Sequence, residues 1–153
     1  MNKAGIVHCT ILAALGIALL LFPVSLRRAQ ARSDEPSVFT EAAASKLLSQ
    51  VAEGLRSHSA KKMLSAFDLS MMDGGSIFKE QITALFNQYE SIRVHFKLVE
   101  VKENVAVVDA ELDGTPPNGD SPPQHKNVQL RLTAAKTSAG WRFVDAQPRA
   151  FFS

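Results

Sequence analysis

The sequence predicts an α+β domain, with helices first and an antiparallel sheet after them. Three observations carry that expectation. Apolar residues recur at helical spacing between Phe39 and Leu55. From Ser91 the spacing changes to alternation. Turn-forming stretches then divide the alternating part into about four strands: Lys102-Glu103-Asn104, the Pro- and Gly-rich segment 114–124, and Ser138-Ala139-Gly140.

In the first helix, Phe39, Ala43, Leu47, Val51 and Leu55 repeat every fourth residue, and Leu48 and Ala52 widen the stripe. That pattern predicts an amphipathic helix of about 18 residues. Ser37 is its expected N-cap, Glu41 suits the positive end of the helix dipole, and Gly54 weakens the far end. Ser57 or Ser59 starts a shorter helix carrying Met63, Leu64 and Phe67, with Asp68 following. Met71-Met72-Asp73-Gly74-Gly75 reads as a loop. Ser76 is the expected cap of a third helix, with Ile77, Phe78, Ile82, Leu85, Phe86 and Tyr89 on its apolar side.

The strands follow from period two. Ile92, Val94, Phe96 and Leu98 alternate with Arg93, His95 and Lys97, and the parity shift to Val99 and Val101 predicts a bulge near Leu98. Ala106, Val108, Ala110 and Leu112 alternate with Val107, Asp109, Glu111 and Asp113 in the returning strand. Val128, Leu130, Leu132 and Ala134 give a third strand. Trp141 to Ala146 gives a fourth, ended by Pro148.

The first 31 residues stand apart from this domain. Lys3, the apolar run Ile11–Phe22, Pro23 and the small-residue stretch Ala29-Gln30-Ala31 have the organisation of a signal peptide cut after Ala31. Arg27, Arg28 and Arg32 favour a second outcome, in which residues 4–26 stay as a membrane anchor. Residues 32–36 would then be a linker and 37–153 the domain. The leader removes Lys3, Arg27 and Arg28 and no acid, so the remainder holds 14 basic and 15 acidic residues against 17 and 15 in the whole chain. The basic balance thus belongs to the leader, and the domain carries no electrostatic signature for nucleic acid. The one cysteine, Cys9, also lies in the leader, so the domain has no thiol nucleophile, disulfide or cysteine-based zinc site. Any membrane contact is expected only through the N-terminal segment.

Residues 37–147 resemble the nuclear transport factor 2-like (SnoaL-like) superfamily, a cone of three helices on a curved antiparallel sheet. The long first helix with MLSAFD after it, IFKEQITALFNQY running into a strand, the hairpin KLVEVKENVAVVDAEL and the closing GWRFVDAQP carry the resemblance. The family includes isomerases, dehydratases, polyketide cyclases, lipid carriers, secretion-system components and interaction domains, so the resemblance implies a fold and not a reaction. Its steroid-isomerase members place a tyrosine and carboxylic acids inside the cone, whereas the first helix here has neither Tyr nor Asp.

No ionisable residue falls on the strand faces assigned to the core, so the sequence offers nothing inside to move a proton. The candidate catalytic residues are Asp68, Tyr89 and His95. Asp68 suits a helix-end turn, and His95, between Arg93 and Lys97, suits a solvated strand face. Asp109, Glu111 and Asp113 form an acidic row able to pair across the sheet with Arg93, Lys97 or Arg131. Met63, Phe67, Phe78 and Phe96 are candidates for an apolar ligand pocket, or simply core. The His residues show no zinc spacing, no phosphate-binding loop is present, and no cofactor or metal is expected. The expectation is an exported non-catalytic domain that binds a partner protein or a small apolar ligand. The alternatives are a SnoaL-like isomerase, dehydratase or cyclase, and a membrane-anchored envelope assembly component. A homodimer through the sheet face is the expected self-association.

Overall fold

The computed structural model describes residues 37–119 and 121–153. The leader, the Ala31 cut site and the 32–36 linker lie outside them. Among the described residues no helix is long and apolar enough to cross a membrane.

The first helix, α1, spans Glu41–Arg56 and is 16 residues long. Its N-cap is Thr40, not Ser37: the Thr40 hydroxyl accepts the Ala43 amide at 3.2 Å. The start is displaced because Phe39 stays outside the helix and packs its ring 5.1 Å from Trp141 and 6.5 Å from Phe143. Leu47, Leu48, Val51 and Leu55 form the buried face, each contributing on the order of 2 kcal/mol by removal from water.

The second helix, α2, spans Ala60–Leu64 and is capped by Ser59, whose hydroxyl accepts the Lys62 amide at 3.3 Å. Ser57 is used differently, donating to Glu53 O at the end of α1. Gly54 does more than weaken α1. A Cβ there would collide with the Met63 backbone, so the missing side chain is what lets α2 cross so close. In the connecting loop His58 takes a left-handed conformation (φ 52°) and donates Nε2–H to Phe86 O at 2.8 Å. That bond ties the loop to the third helix.

The third helix, α3, spans Gly75–Gln88. Its cap is Gly74 (φ 65°), so Ser76 lies inside the helix and does not cap it. Phe78, Ile82, Leu85 and Phe86 are buried, while Ile77 is 67% exposed and leaves the predicted apolar side. The chain becomes extended at Tyr89 and enters the sheet.

Four antiparallel strands follow in the order β1-β2-β3-β4: β1 Ser91–Lys102, β2 Val105–Thr115, β3 Gln124–Thr137 and β4 Gly140–Gln147. The expected bulge is present, as a register shift between Leu98 and Glu100. β3 begins at Gln124, earlier than the alternation around Val128 predicts, so His125 is a strand residue. The inner face holds Ala106, Val108, Ala110, Leu112, Leu130, Leu132, Ala134 and Phe143, all buried. Gly114 sits under the Tyr89 ring, which would overlap any Cβ placed there. The helices cover this inner face, with α1 lying chiefly along β1.

After β4 the chain turns back through a 3-10 segment, Arg149–Phe152. Nothing in the strand pattern announces this segment, yet Phe151 and Phe152 are both buried. Arg149 fixes it: its guanidinium donates to Asp73 O at 2.7 Å and to Asp145 Oδ1 at 3.0 Å, and its carbonyl accepts Gln81 Nε2 at 2.9 Å.

Candidate functional site

The interior of the cone is filled with aromatic rings. A chain of eight runs from Trp141 through Phe39, Phe143, Phe67, Phe78, Phe152 and Phe151 to Phe96, with successive centroids 5.0 to 6.5 Å apart. The contacts are tilted or edge-to-face, the arrangement ring quadrupoles favour. Met63 and Phe78 are fully buried and Phe67 nearly so. These three fill the core, and only Phe96 of the four pocket candidates borders an opening. Among the described residues no Ser, Thr, Asn, Gln, His or charged residue is buried.

The three candidate catalytic residues occupy separate places. Asp68 closes a local turn: Oδ1 accepts the Ser70 hydroxyl at 2.5 Å and the Ser70 and Met71 amides at 3.0 and 3.3 Å. The Ser70 hydroxyl, helped by those amides, holds the Asp68 carboxyl below its ordinary pKa, so it stays an ion and is a poor proton donor. Tyr89 is buried and donates to Gln124 Oε1 at 2.6 Å. Burial pushes its phenol above the ordinary value. His95 is exposed on the outer face of β1, opposite Glu111. No hydrogen bond joins any two of these residues, so they form no acid–base set.

The outer face carries ordered charge. Arg93, His95 and Lys97 of β1 stand opposite Asp113, Glu111 and Asp109 of β2. Asp113 also accepts His125 Nδ1 at 2.7 Å, and Asp109 accepts Gln129 Nε2 at 3.1 Å. The acidic row therefore bonds to β3 through His125 and Gln129, and among the described residues no ion pair joins it to Arg93, Lys97 or Arg131. His125 is the partner that the sequence hid, because β3's polar parity is continuous from His125 through Asn127 and Gln129 to Arg131 only if the strand is extended backwards. Among the described residues no three His, Cys, Asp or Glu side chains converge on a metal-sized site.

The opening best placed for recognition is a groove of about 350 Å3 between α1 and β1. Leu48, Val94, Phe96 and Leu98 supply its apolar floor, with Arg56 and His95 at its rim. Its existence has a sequence cause. Ser45, Ser49 and Ala52 follow one another along one ridge of α1, and these short side chains leave space above the strand. Sequence reasoning missed the groove because it counted Ala52 in the apolar stripe of α1 and passed over Ser45 and Ser49 beside it.

No family model matches the chain, and no curated protein matches its sequence. A search of solved structures finds a crystal structure from Novosphingobium aromaticivorans, described as a "putative aromatic ring hydroxylase", at a TM-score of 0.53 and 18% identity. The match covers 69% of this chain and 84% of that one. This likeness shows the fold. It is the α+β cone that the sequence resemblance implies, and at this identity it carries no activity. The aromatic chain and the groove along β1 are thus properties of this protein's own residues on a widely used frame.

Proposed function

We propose that this is an exported, non-catalytic domain that works by binding a partner protein along β1. The observation that carries this reading is the closed interior. Where an enzyme or a lipid carrier of this shape needs a cavity with converging polar groups, this chain has interlocked rings. Export rests on the organisation of residues 1–31. The variant reading, an envelope component held by residues 4–26, uses the same binding surface.

One finding favours a second reading, a SnoaL-like enzyme on an aromatic or other apolar substrate: the solved structure described as a ring hydroxylase. That reading needs the rings of Phe78, Phe151 and Phe152 to move aside for a ligand. A single experiment separates the two. Native mass spectrometry and thermal shift against a panel of small aromatic and apolar compounds are expected to give no saturable binding. A compound that binds stoichiometrically and is displaced by filling the interior further overturns the non-catalytic reading. Sequencing the N-terminus of the exported protein is expected to give Arg32 as the first residue, and a retained leader would favour the anchored form.

A further inference from the structure

The two edges of the sheet are treated differently. β4's outer edge is bridged at Phe143: Asp68 N donates to Phe143 O at 2.8 Å and Phe143 N donates to Ala66 O at 2.9 Å. Among the described residues β1 has no such cover. Its twelve residues pair with β2 on one side, and among the described residues no backbone or side-chain group bonds the other side. Unpaired N–H and C=O groups along a strand that long are a template for another strand. Of the devices that ordinarily blunt such an edge, β1 carries lysines and the bulge after Leu98, but it is long, has no proline and, among the described residues, has no cover.

We infer that β1 is a docking edge for an extended segment of a partner protein in which acidic and apolar residues alternate. Three features select that occupant. First, the free edge lies beside the groove, so an added strand would send every second side chain toward the apolar floor of Leu48, Val94, Phe96 and Leu98, between the polar groups of Ser45, Ser49, Arg56 and His95. Second, the opposite parity would lie beside Arg93, His95 and Lys97 on the outer face. Third, the molecule already contains a strand that satisfies β1. On the paired side, β2 places Val108, Ala110 and Leu112 inward and Asp109, Glu111 and Asp113 against the basic row. The free side asks for the same alternation.

A second copy of β1 meets these conditions badly. An antiparallel β1 pair centred on Phe96 sets His95 against Lys97 of the other copy, and directly opposed like charges destabilise a pair of strands. The basic row therefore discourages self-pairing and rewards an acidic guest. This inference rests on the reading of the domain as an interaction module and names the partner class.

The test uses a blocked peptide with the sequence of Val105–Thr115 as probe, and a second in which the positions of Asp109, Glu111 and Asp113 are lysine. The acidic peptide is expected to bind saturably and to slow hydrogen exchange at alternate β1 amides while leaving β4 amides unchanged. Arg93→Glu combined with Lys97→Glu is expected to weaken it about tenfold, as two cross-strand charge pairs warrant, and to turn the preference toward the lysine peptide. That swap separates lost recognition from lost folding, because a misfolded variant would bind neither peptide. No protection on β1, or equal binding of both peptides to the unaltered protein, overturns the inference. So does a sheet-face dimer that abolishes peptide binding and carries all of the charge dependence. If the interior also stays closed to small molecules, only this inference falls. An occupied interior instead removes the reading beneath it.

Discussion

β1 and β4 bound the same sheet, and they show two ways of finishing one. At β4 the chain uses its own backbone: the segment Ala66–Asp68 bridges Phe143, and Phe67 sets its ring 5.7 Å from the Phe143 ring. The edge is closed by hydrogen bonds and by burial together. At β1 the side chains are half-buried, the helix above carries Ser45, Ser49 and Ala52, and the outward row is basic. Closing an edge takes a segment long enough to reach it and apolar enough to stay. The stretch after α2 supplies both, and the stretch before β1 runs straight from α3 into the strand and leaves nothing to fold back.

The largest test of that contrast is truncation on either side. Phe143→Ala is expected to cost about 3–5 kcal/mol in chemical denaturation, as for other fully buried aromatic deletions, and Phe152→Ala a similar amount because its ring joins Phe78 to Phe151. Phe96→Ala on the half-buried open edge is expected to cost about 1–2 kcal/mol. Equal losses at Phe143 and Phe96 would erase the distinction between the edges. Tyr89→Phe is a smaller perturbation. It keeps the ring over Gly114 and leaves Gln124 Oε1 without its donor, so a loss of about 1 kcal/mol is expected from the same denaturation curves.

Hydrogen exchange reads the contrast without mutation. The Asp68 and Phe143 amides, both bonded across the closed edge, are expected to exchange only with opening of the core. Alternate amides of β1 are expected to exchange through local fluctuations, and slow exchange along the whole of β1 would mean the edge is not free.

The smallest expected effect is electrostatic. Because the Asp68 carboxyl is held below its ordinary value of 3.8, its contribution to stability is present above that pH and is lost as pH falls through the folded value. Asp68→Asn should therefore flatten the acid side of the stability profile slightly, with a small constant loss at neutral and alkaline pH that vanishes at acid pH. A change centred near neutral pH would point to a different group.

Much of the architecture was legible because it rests on periodicity. The switch from four-residue to two-residue spacing at Ser91, the bulge after Leu98 and the apolar inner face are all direct readings of alternation. The helix starts were displaced because capping depends on neighbours: Phe39 is claimed by Trp141 and Phe143, which pushes the cap to Thr40. The aromatic chain was invisible as a chain, since its members come from the segment before α1, the segment after α2, α3, β1, β4 and the turn after β4. The groove was illegible for the opposite reason. It is made by small side chains, and periodic analysis records what is apolar and passes over what is merely short.

Trp141, the chain's single tryptophan, sits at one end of the ring series and packs against Phe39. Its emission will therefore follow melting of the core and the start of α1. A peptide arriving at β1 would approach the other end, where Phe96 is the last ring, so binding there should leave the intrinsic signal flat. A reporter for that event has to be built in, and a dye on a cysteine introduced at Val99, 51% exposed just past Leu98, is the natural position for it.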